Sequence, residues 1–154
     1  MIKSTSVKLL SVLLALVMII GTMPVMTASA TDVESLEFYY IINGDNTVTI
    51  TGYWGEDEVV SFPSEIDGYP VTSIDSNVFW CNWSYYYSEI KIPASVTTIA
   101  DGAFSSYLEI DKFTVDSANT AYCSDNGVLL NKAKTEIINF PSGFSKTSYS
   151  VPSG

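Results

Sequence analysis

The chain has 154 residues, with seven lysine or arginine side chains against 17 acidic ones and no histidine, so its net charge is −10 at pH 7. Such an acidic protein repels nucleic acid and anionic membranes, which excludes both as partners. Without histidine, neither a Ser-His-Asp triad nor a zinc site of the usual spacing can form. The length suits one modest domain or a few repeats.

Residues 1–30 predict a secretory signal peptide. Lys3 and Lys8 form a basic start, an apolar run from Leu9 to Ile20 follows, and Ala28-Ser29-Ala30 is a small-residue cleavage site. The run is shorter than the roughly 20 residues that a membrane-spanning helix needs. We therefore expect cleavage near Ala30 and a mature protein that is secreted or displayed at the cell surface. Its five lysines and 17 acids give a net charge of −12.

Residues 31–58 predict an N-terminal hairpin cap and an acidic link. Phe38 to Ile42 are aromatic and β-branched, Asn43 to Asn46 form a turn cluster, and Thr47 to Thr51 alternate with period two. The apolar residues of this second strand should face the repeat that follows. Because a stack of coils exposes strand edges at its end, the hairpin is placed to cover that end. Three acids after Gly55 then form a solvated link.

Residues 59–154 predict stacked coils with short strands and irregular returns. Three pairs of apolar residues recur 25 residues apart: Val71 and Val96, Ile74 and Ile99, Phe79 and Phe104. A period of this size is typical of supersecondary units that bury their apolar faces against one another. Long helices are not expected, because no segment keeps a helical apolar period for more than about two turns.

The last coil is predicted to be truncated. Phe140-Pro141-Ser142-Gly143 and Val151-Pro152-Ser153-Gly154 both begin like a new coil, and the sequence stops at the second. We expect the front part of a longer protein, or a truncated gene product, whose final coil has no cap. An uncapped coil exposes apolar side chains and strand edges, so self-association through this end is also expected.

These motifs resemble the BspA-like group of bacterial leucine-rich-repeat proteins, whose coils contain Ile-Pro-x-x-Val-Thr-x-Ile-x-x-x-Ala-Phe. Ile92 to Phe104 match this pattern, Ile66 to Ile74 are similar to its first-repeat variant, and Tyr122 to Gly143 are similar to its long form. The resemblance covers about Phe38 to Gly154. It implies a mainly β leucine-rich-repeat solenoid, capped by the hairpin, in a secreted or surface protein that contacts proteins or glycans.

The predicted function is a protein-interaction or adhesion module without catalysis, metal or cofactor. The alternative is a glycan-binding or scaffold region of a larger extracellular enzyme. Glycosidases need only two carboxylates, and the candidates are Asp101, Glu109 and Asp111. All three fall in turns of a shallow coil, so we expect solvated turn acids.

Aromatic residues are the candidates for ligand contact, in an irregular loop and on the turn that follows the hairpin. They are Trp80, Trp83, Tyr85, Tyr86 and Tyr87 in the loop, and Tyr53 and Trp54 on the turn. Consecutive side chains diverge, so some of them must be exposed. Exposed tryptophan and tyrosine supply large, rigid contact area. Alternatively, Trp80 and one or two tyrosines fill the space between coils.

The two cysteines, Cys81 and Cys123, are predicted to be unpaired. They lie about two coils apart, and at the strand spacing of about 4.7–4.9 Å this separates them by roughly 10 Å, beyond bridging reach. Calcium is not expected either, because no complete Asp-x-Asp-x-Asp-Gly loop exists. The oxygen-bearing residues of two turns are explained by turn formation: Asp45, Asn46, Asp125 and Asn126.

Overall fold

The computed structural model describes residues 37–76, 78–80, 86–104, 108–143 and 149–151. The predicted signal peptide, together with Cys81, Trp83 and Tyr85, lies outside these residues. The described part is mainly β, as the sequence predicts, and no helix in it is long and apolar enough to cross a membrane. Its strands are β1 (Phe38–Ile42), β2 (Val48–Tyr53), β3 (Val59–Ser61), β4 (Glu65–Ile66), β5 (Tyr69–Ile74), β6 (Tyr86–Tyr87), β7 (Glu89–Ile92), β8 (Thr98–Ile99), β9 (Glu109–Ile110), β10 (Phe113–Val115), β11 (Tyr122–Asp125), β12 (Val128–Asn131) and β13 (Ile137–Asn139).

One parallel ladder connects β2, β5 and β8. Val48 lies opposite Val71, and Ile50 lies opposite Ile74, which in turn lies opposite Ile99. The first four of these side chains are buried and Ile99 is partly buried. The 25-residue spacing of Ile74 and Ile99 therefore brings the two residues together on neighbouring strands. The three strands are six, six and two residues long.

A second parallel ladder connects β3, β7 and β10. Val60, Ile90 and Phe113 occupy matching positions along it, and all three are buried. A short parallel pair, β6 with β9, sets Tyr87 beside Ile110 in the same way. Parallel pairing of strands that are distant in sequence is the arrangement that stacked repeats predict.

The core between the ladders contains a row of phenylalanine rings. Ring centroids are 5.4 Å apart for Phe38 and Phe62, 6.3 Å for Phe62 and Phe104, and 5.1 Å for Phe104 and Phe113. Phe79 joins the row, 6.2 Å from Phe104. Such tilted and edge-on pairs stabilise by about 0.5–1.5 kcal/mol each beyond the burial of their surface. The row links β1, which contains Phe38, to β10, which contains Phe113.

The strands β1 and β2 form an antiparallel pair joined by residues 43–47. The backbone N–H of Asn43 donates to the carbonyl of Thr47 at 2.8 Å, and Asn46 adopts a left-handed φ of 62° that asparagine tolerates. Because β2 pairs with β5 on its other side, β1 lies at the edge of this sheet. The role of the pair as a cap remains a prediction.

A bulge in β2 decides which of its side chains are buried. Tyr39 of β1 lies opposite Gly52, while the next β1 residue lies opposite Ile50, so Thr51 is the extra residue. This insertion reverses the alternation, and Tyr53 rather than Gly52 points into the core, where it is 1% exposed. The prediction that Tyr53 lies on the turn that follows the hairpin is therefore wrong, because β2 continues through it.

A buried asparagine, Asn119, holds the segment before β11 against the residues that follow β7. The side-chain amide of Asn119 donates to the carbonyl oxygens of Pro93 and Val96, both at 2.8 Å. Its oxygen accepts the backbone N–H groups of Ala121 at 2.9 Å and Tyr122 at 2.7 Å. All four hydrogen-bonding positions of the amide are thus satisfied. The residues that follow form the antiparallel sheet β11-β12-β13.

Candidate ligand-contact surface

An exposed aromatic pair lies on the outer side of β1 and β2. A Cβ atom placed on Gly52 would be 3.0 Å from Cδ2 of Tyr39 and 3.4 Å from Nε1 of Trp80. Both rings therefore rest against the Gly52 backbone, yet Tyr39 is 54% and Trp80 is 68% exposed. Ile41, two residues after Tyr39 on the same side of β1, is also 54% exposed. We call Tyr39, Ile41 and Trp80, with Gly52 beneath them, the aromatic face.

The bulge at Thr51 is the local cause of this face. It turns Gly52 outward, and a residue without a side chain there leaves room for two large rings. Aromatic side chains commonly cover a strand glycine in this way. A longer side chain at Gly52 would displace Tyr39 or Trp80. The sequence therefore positions the aromatic pair through one inserted residue and one glycine.

Trp54 is exposed just beyond β2, next to a pair of acids. Trp54 is 52% exposed, and its backbone N–H donates to the carbonyl of Glu37 at 3.0 Å. Burial, and then the charge of Asp57, raise the pKa of Glu37. Burial, and then the Glu37 carboxylate, raise the pKa of the Tyr53 phenol to about 12. Glu37, Tyr53 and Asp57 line a cavity of about 180 Å³ together with Phe38, Val59 and Ser61.

The two tyrosines of β6 have different surroundings. Tyr86 is 40% exposed and its hydroxyl donates to Oδ2 of Asp111 at 2.7 Å, an interaction that raises the pKa of Tyr86. Tyr87 is fully buried, with its ring 4.7 Å from that of Phe79. Its buried position means that Tyr87 belongs to the core and does not contact a ligand.

The predicted contact residues therefore divide into three groups. Trp54, Trp80 and Tyr86 are exposed, Tyr53 and Tyr87 are buried, and the remaining two lie outside the described residues. Sequence reasoning missed Tyr39 and Ile41 as surface residues. The signal was available in the alternation of β1, since Phe38 faces the core and the odd-numbered positions then face outward.

Of the acidic candidates, Asp101 and Glu109 are exposed, while Asp45, Asp111 and Asp125 make local contacts. Asp111 accepts the Tyr86 hydroxyl, and Oδ1 of Asp45 accepts both the backbone N–H of Thr47 at 3.2 Å and its hydroxyl at 2.7 Å. Asp125 accepts from Tyr149 at 3.1 Å. In the part of the chain that the structure describes, no three Asp, Glu, Cys or His side chains are grouped closely enough to hold a metal ion.

One cysteine lies within the described residues. Cys123 is a free thiol, and its Sγ lies 3.3 Å from the carbonyl oxygen of Asn131. The pairing of Cys123 with Cys81 remains a matter of prediction, since Cys81 lies outside these residues.

Charge is unevenly distributed along the mature sequence. Between Glu37 and Ile90 the chain has nine acidic residues and neither lysine nor arginine, and the first lysine of the mature protein is Lys91. Positive and negative side chains come together around Glu89. Its carboxylate lies 3.6 Å from the Lys112 ammonium and 3.9 Å from that of Lys91, and it accepts the Thr114 hydroxyl at 2.5 Å. The hydrogen bond from Thr114, and then the lysine charges, lower the pKa of Glu89. The aromatic face therefore lies in the wholly acidic part.

No protein-family model matches the chain, and no curated protein matches it. Solved structures do: the chain is similar to bacterial leucine-rich-repeat proteins, the class that its sequence motifs resemble. A leucine-rich cell surface protein from Faecalibacterium prausnitzii A2-165 is 31% identical, with a TM-score of 0.48, over 55% of this chain and 23% of that one. A leucine-rich-repeat protein from Eubacterium ventriosum ATCC 27560 is 30% identical, with a TM-score of 0.47, over 61% of this chain and 23% of that one.

The pneumococcal vaccine antigen PcpA is 13% identical over 75% of this chain and 56% of its own, with a TM-score of 0.31. The matches thus span about a quarter of the two leucine-rich-repeat structures and about half of the antigen.

Proposed function

We propose that the protein is a secreted or surface-displayed protein-interaction module of the bacterial leucine-rich-repeat type, acting in adhesion and without catalysis. The observation that carries this proposal is the aromatic face, where Tyr39 of β1 and the neighbouring Trp80 are more than half exposed. Rigid, exposed tyrosine and tryptophan are the side chains most enriched at interface hot spots. Tyr39 lies on a paired strand and both rings pack on the Gly52 backbone, so little conformational entropy is lost when a partner binds.

In this proposal the parallel ladders connect successive coils of one solenoid, with β1 and β2 as its cap. The buried pairs Val48–Val71 and Ile50–Ile74 support it, since the first coil would otherwise leave these apolar side chains in water. The signal-peptide pattern supports export. The leucine-rich-repeat class of two similar structures is consistent with the same architecture.

The test is binding of the secreted protein to a panel of immobilised extracellular proteins. Trp80→Ala and Tyr39→Ala should each weaken binding about tenfold or more, as loss of a hot-spot aromatic does. Phe140→Ala is the matched control, because Phe140 is an aromatic residue of similar exposure, 45%, outside the aromatic face. Equal effects of all three variants, or retained binding in the first two, would contradict the proposal.

The second candidate function is glycan binding within a larger extracellular enzyme. The neighbouring, exposed rings of Tyr39 and Trp80 favour it, because flat aromatic faces also suit sugar rings. A glycan array with the same variants separates the two functions. Glycan binding that depends on Trp80, combined with no binding to the protein panel, would replace the first proposal with the second.

A further inference from the structure

The outer edge of β1 is open in the part of the chain that the structure describes. β1 pairs with β2 alone, so the other side of its backbone presents unpaired N–H and C=O groups to solvent. Natural edge strands are usually protected by lysine, proline or an inward charge. The sequence Phe-Tyr-Tyr-Ile-Ile of β1 contains none of these. Its last two residues, Ile41 and Ile42, are about half exposed, so the edge is both open and apolar.

Acidic residues lie at both ends of this apolar edge. Glu37 precedes β1 and Asp45 lies in the turn that follows it. Two copies pairing through β1 would bring these carboxylates together, in molecules of net charge −12, and like charges facing each other disfavour such a pair. The same charges attract a strand of opposite sign. The acids therefore protect the edge against self-pairing and leave it open to a basic partner.

The aromatic face adds a second feature that fits a cation. The rings of Tyr39 and Trp80 are exposed on the outer side of the same two strands, and Trp54 is exposed beyond the end of β2. Lysine and arginine bind to such ring faces through cation–π attraction, with Trp the best acceptor. A peptide added as a strand places alternate side chains on one side of the sheet. Every second residue of an added strand would thus lie on the side of the aromatic rings.

We propose that the edge of β1 and the aromatic face together bind an extended, lysine- or arginine-rich segment of a partner protein, which adds to the sheet as a strand. This inference rests on the proposed interaction function and names the chemistry of the partner. Main-chain hydrogen bonds to β1 supply affinity, while Tyr39, Trp80 and the acids at the two ends of β1 select basic side chains. A second copy of this chain is disfavoured as the occupant by its own charge.

The experiment measures binding of short synthetic peptides to the secreted protein by calorimetry. An alternating lysine-valine peptide is the probe, a glutamate-valine peptide tests the charge, and a lysine-proline peptide of equal charge tests strand formation, because proline cannot pair along an edge. The lysine-valine peptide should bind, at least tenfold tighter than the other two. Its affinity should fall as salt rises from ~50 to ~300 mM, since salt screens exposed charges. Comparable binding of the glutamate-valine or lysine-proline peptide overturns the proposal.

Variants locate the site. Ile41→Lys introduces a repelling charge on β1, and Ile137→Lys, at a similarly exposed position of β13, is its control. Neutralising Glu37 and Asp45 to their amides is compared with neutralising two exposed acids elsewhere, Asp101 and Glu136. Binding of the lysine-valine peptide should weaken by about tenfold or more in Ile41→Lys and in the variant with neutralised acids beside β1, and should not change in the two control variants. Equal losses in a variant and its control would overturn the assignment to β1.

The outcomes distinguish this inference from the function on which it rests. If the lysine-valine peptide does not bind, but Trp80→Ala still abolishes binding to the extracellular protein panel, the interaction function stands and the basic partner is wrong. If sedimentation shows a dimer that Ile41→Lys dissociates, the occupant is a second copy and the inference is overturned. If binding is restricted to a glycan array, both are overturned.

Discussion

The side chain of Asn119 should contribute a large part of the free energy of unfolding. In Asn119→Ala, the carbonyls of Pro93 and Val96 lose their donor, and the N–H groups of Ala121 and Tyr122 lose their acceptor. A buried polar group left without a partner costs about 1–3 kcal/mol. Water entering the space offsets part of the sum, so we expect about 3–5 kcal/mol. Against a total of about 5–15 kcal/mol, that loss unfolds a substantial fraction of a marginal domain.

Urea unfolding followed by circular dichroism measures this loss, with the free energy obtained by linear extrapolation. Thr120→Ala, next to Asn119 but exposed, is the control and should stay within about 0.5 kcal/mol of the parent. Asn119→Asp keeps the acceptor but faces Pro93 and Val96 with a carboxylate. It should therefore be at least as destabilised at neutral pH and recover partly in acid, when the carboxyl regains a donor. A loss of unfolding free energy below about 1 kcal/mol in Asn119→Ala would refute the view that this amide holds the segment before β11 in place.

Three further predictions follow from single contacts. Gly127→Ala should cost about 1–3 kcal/mol in urea unfolding, because Gly127 has a φ of +86° and an added Cβ would lie 2.9 Å from Cβ of Lys112, whereas Gly44→Ala, in open space, should be nearly neutral. Tyr53, with its pKa raised to about 12, contributes stability that is complete below about pH 10 and is lost as pH rises toward 12, so Tyr53→Phe should flatten that alkaline loss. Glu89 has a lowered pKa and therefore contributes stability above about pH 4 that is lost as pH falls, so Glu89→Gln should flatten the acid limb of a pH–stability curve. An unchanged alkaline limb in Tyr53→Phe, or an unchanged acid limb in Glu89→Gln, would contradict the role given to that residue.

The burial and proximity of residues 25 apart could be predicted because they depend on a regular repeat of apolar residues. Val71 and Val96 are both fully buried, Ile74 and Ile99 are neighbours in the ladder, and the rings of Phe79 and Phe104 are 6.2 Å apart. A period in sequence translates directly into a period in space when each repeat packs on the next. That the repeats form one solenoid is part of the proposal.

The contact surface was harder to predict because it depends on departures from strict alternation along a strand. Strict period two would point Gly52 toward the core and Tyr53 away from it, and the bulge at Thr51 reverses both directions. A bulge is fixed by how two strands fit each other, and nothing in the β2 sequence alone marks it. Asn119 was missed for a related reason, since a polar residue in a turn is usually exposed and its four partners lie up to 26 residues away.

The bulge also explains why the core and the surface of the first strands are coupled. By turning Tyr53 inward, it adds a ring 5.1 Å from Phe38 and 5.7 Å from Phe79, which joins β1 and β2 to the aromatic core. By turning Gly52 outward, it makes room for Tyr39 and the indole of Trp80 on the opposite side. The same inserted residue therefore anchors the edge strand and creates the rings exposed beside it. An edge that is anchored from within can remain open to a partner without fraying, which is what strand addition at β1 requires.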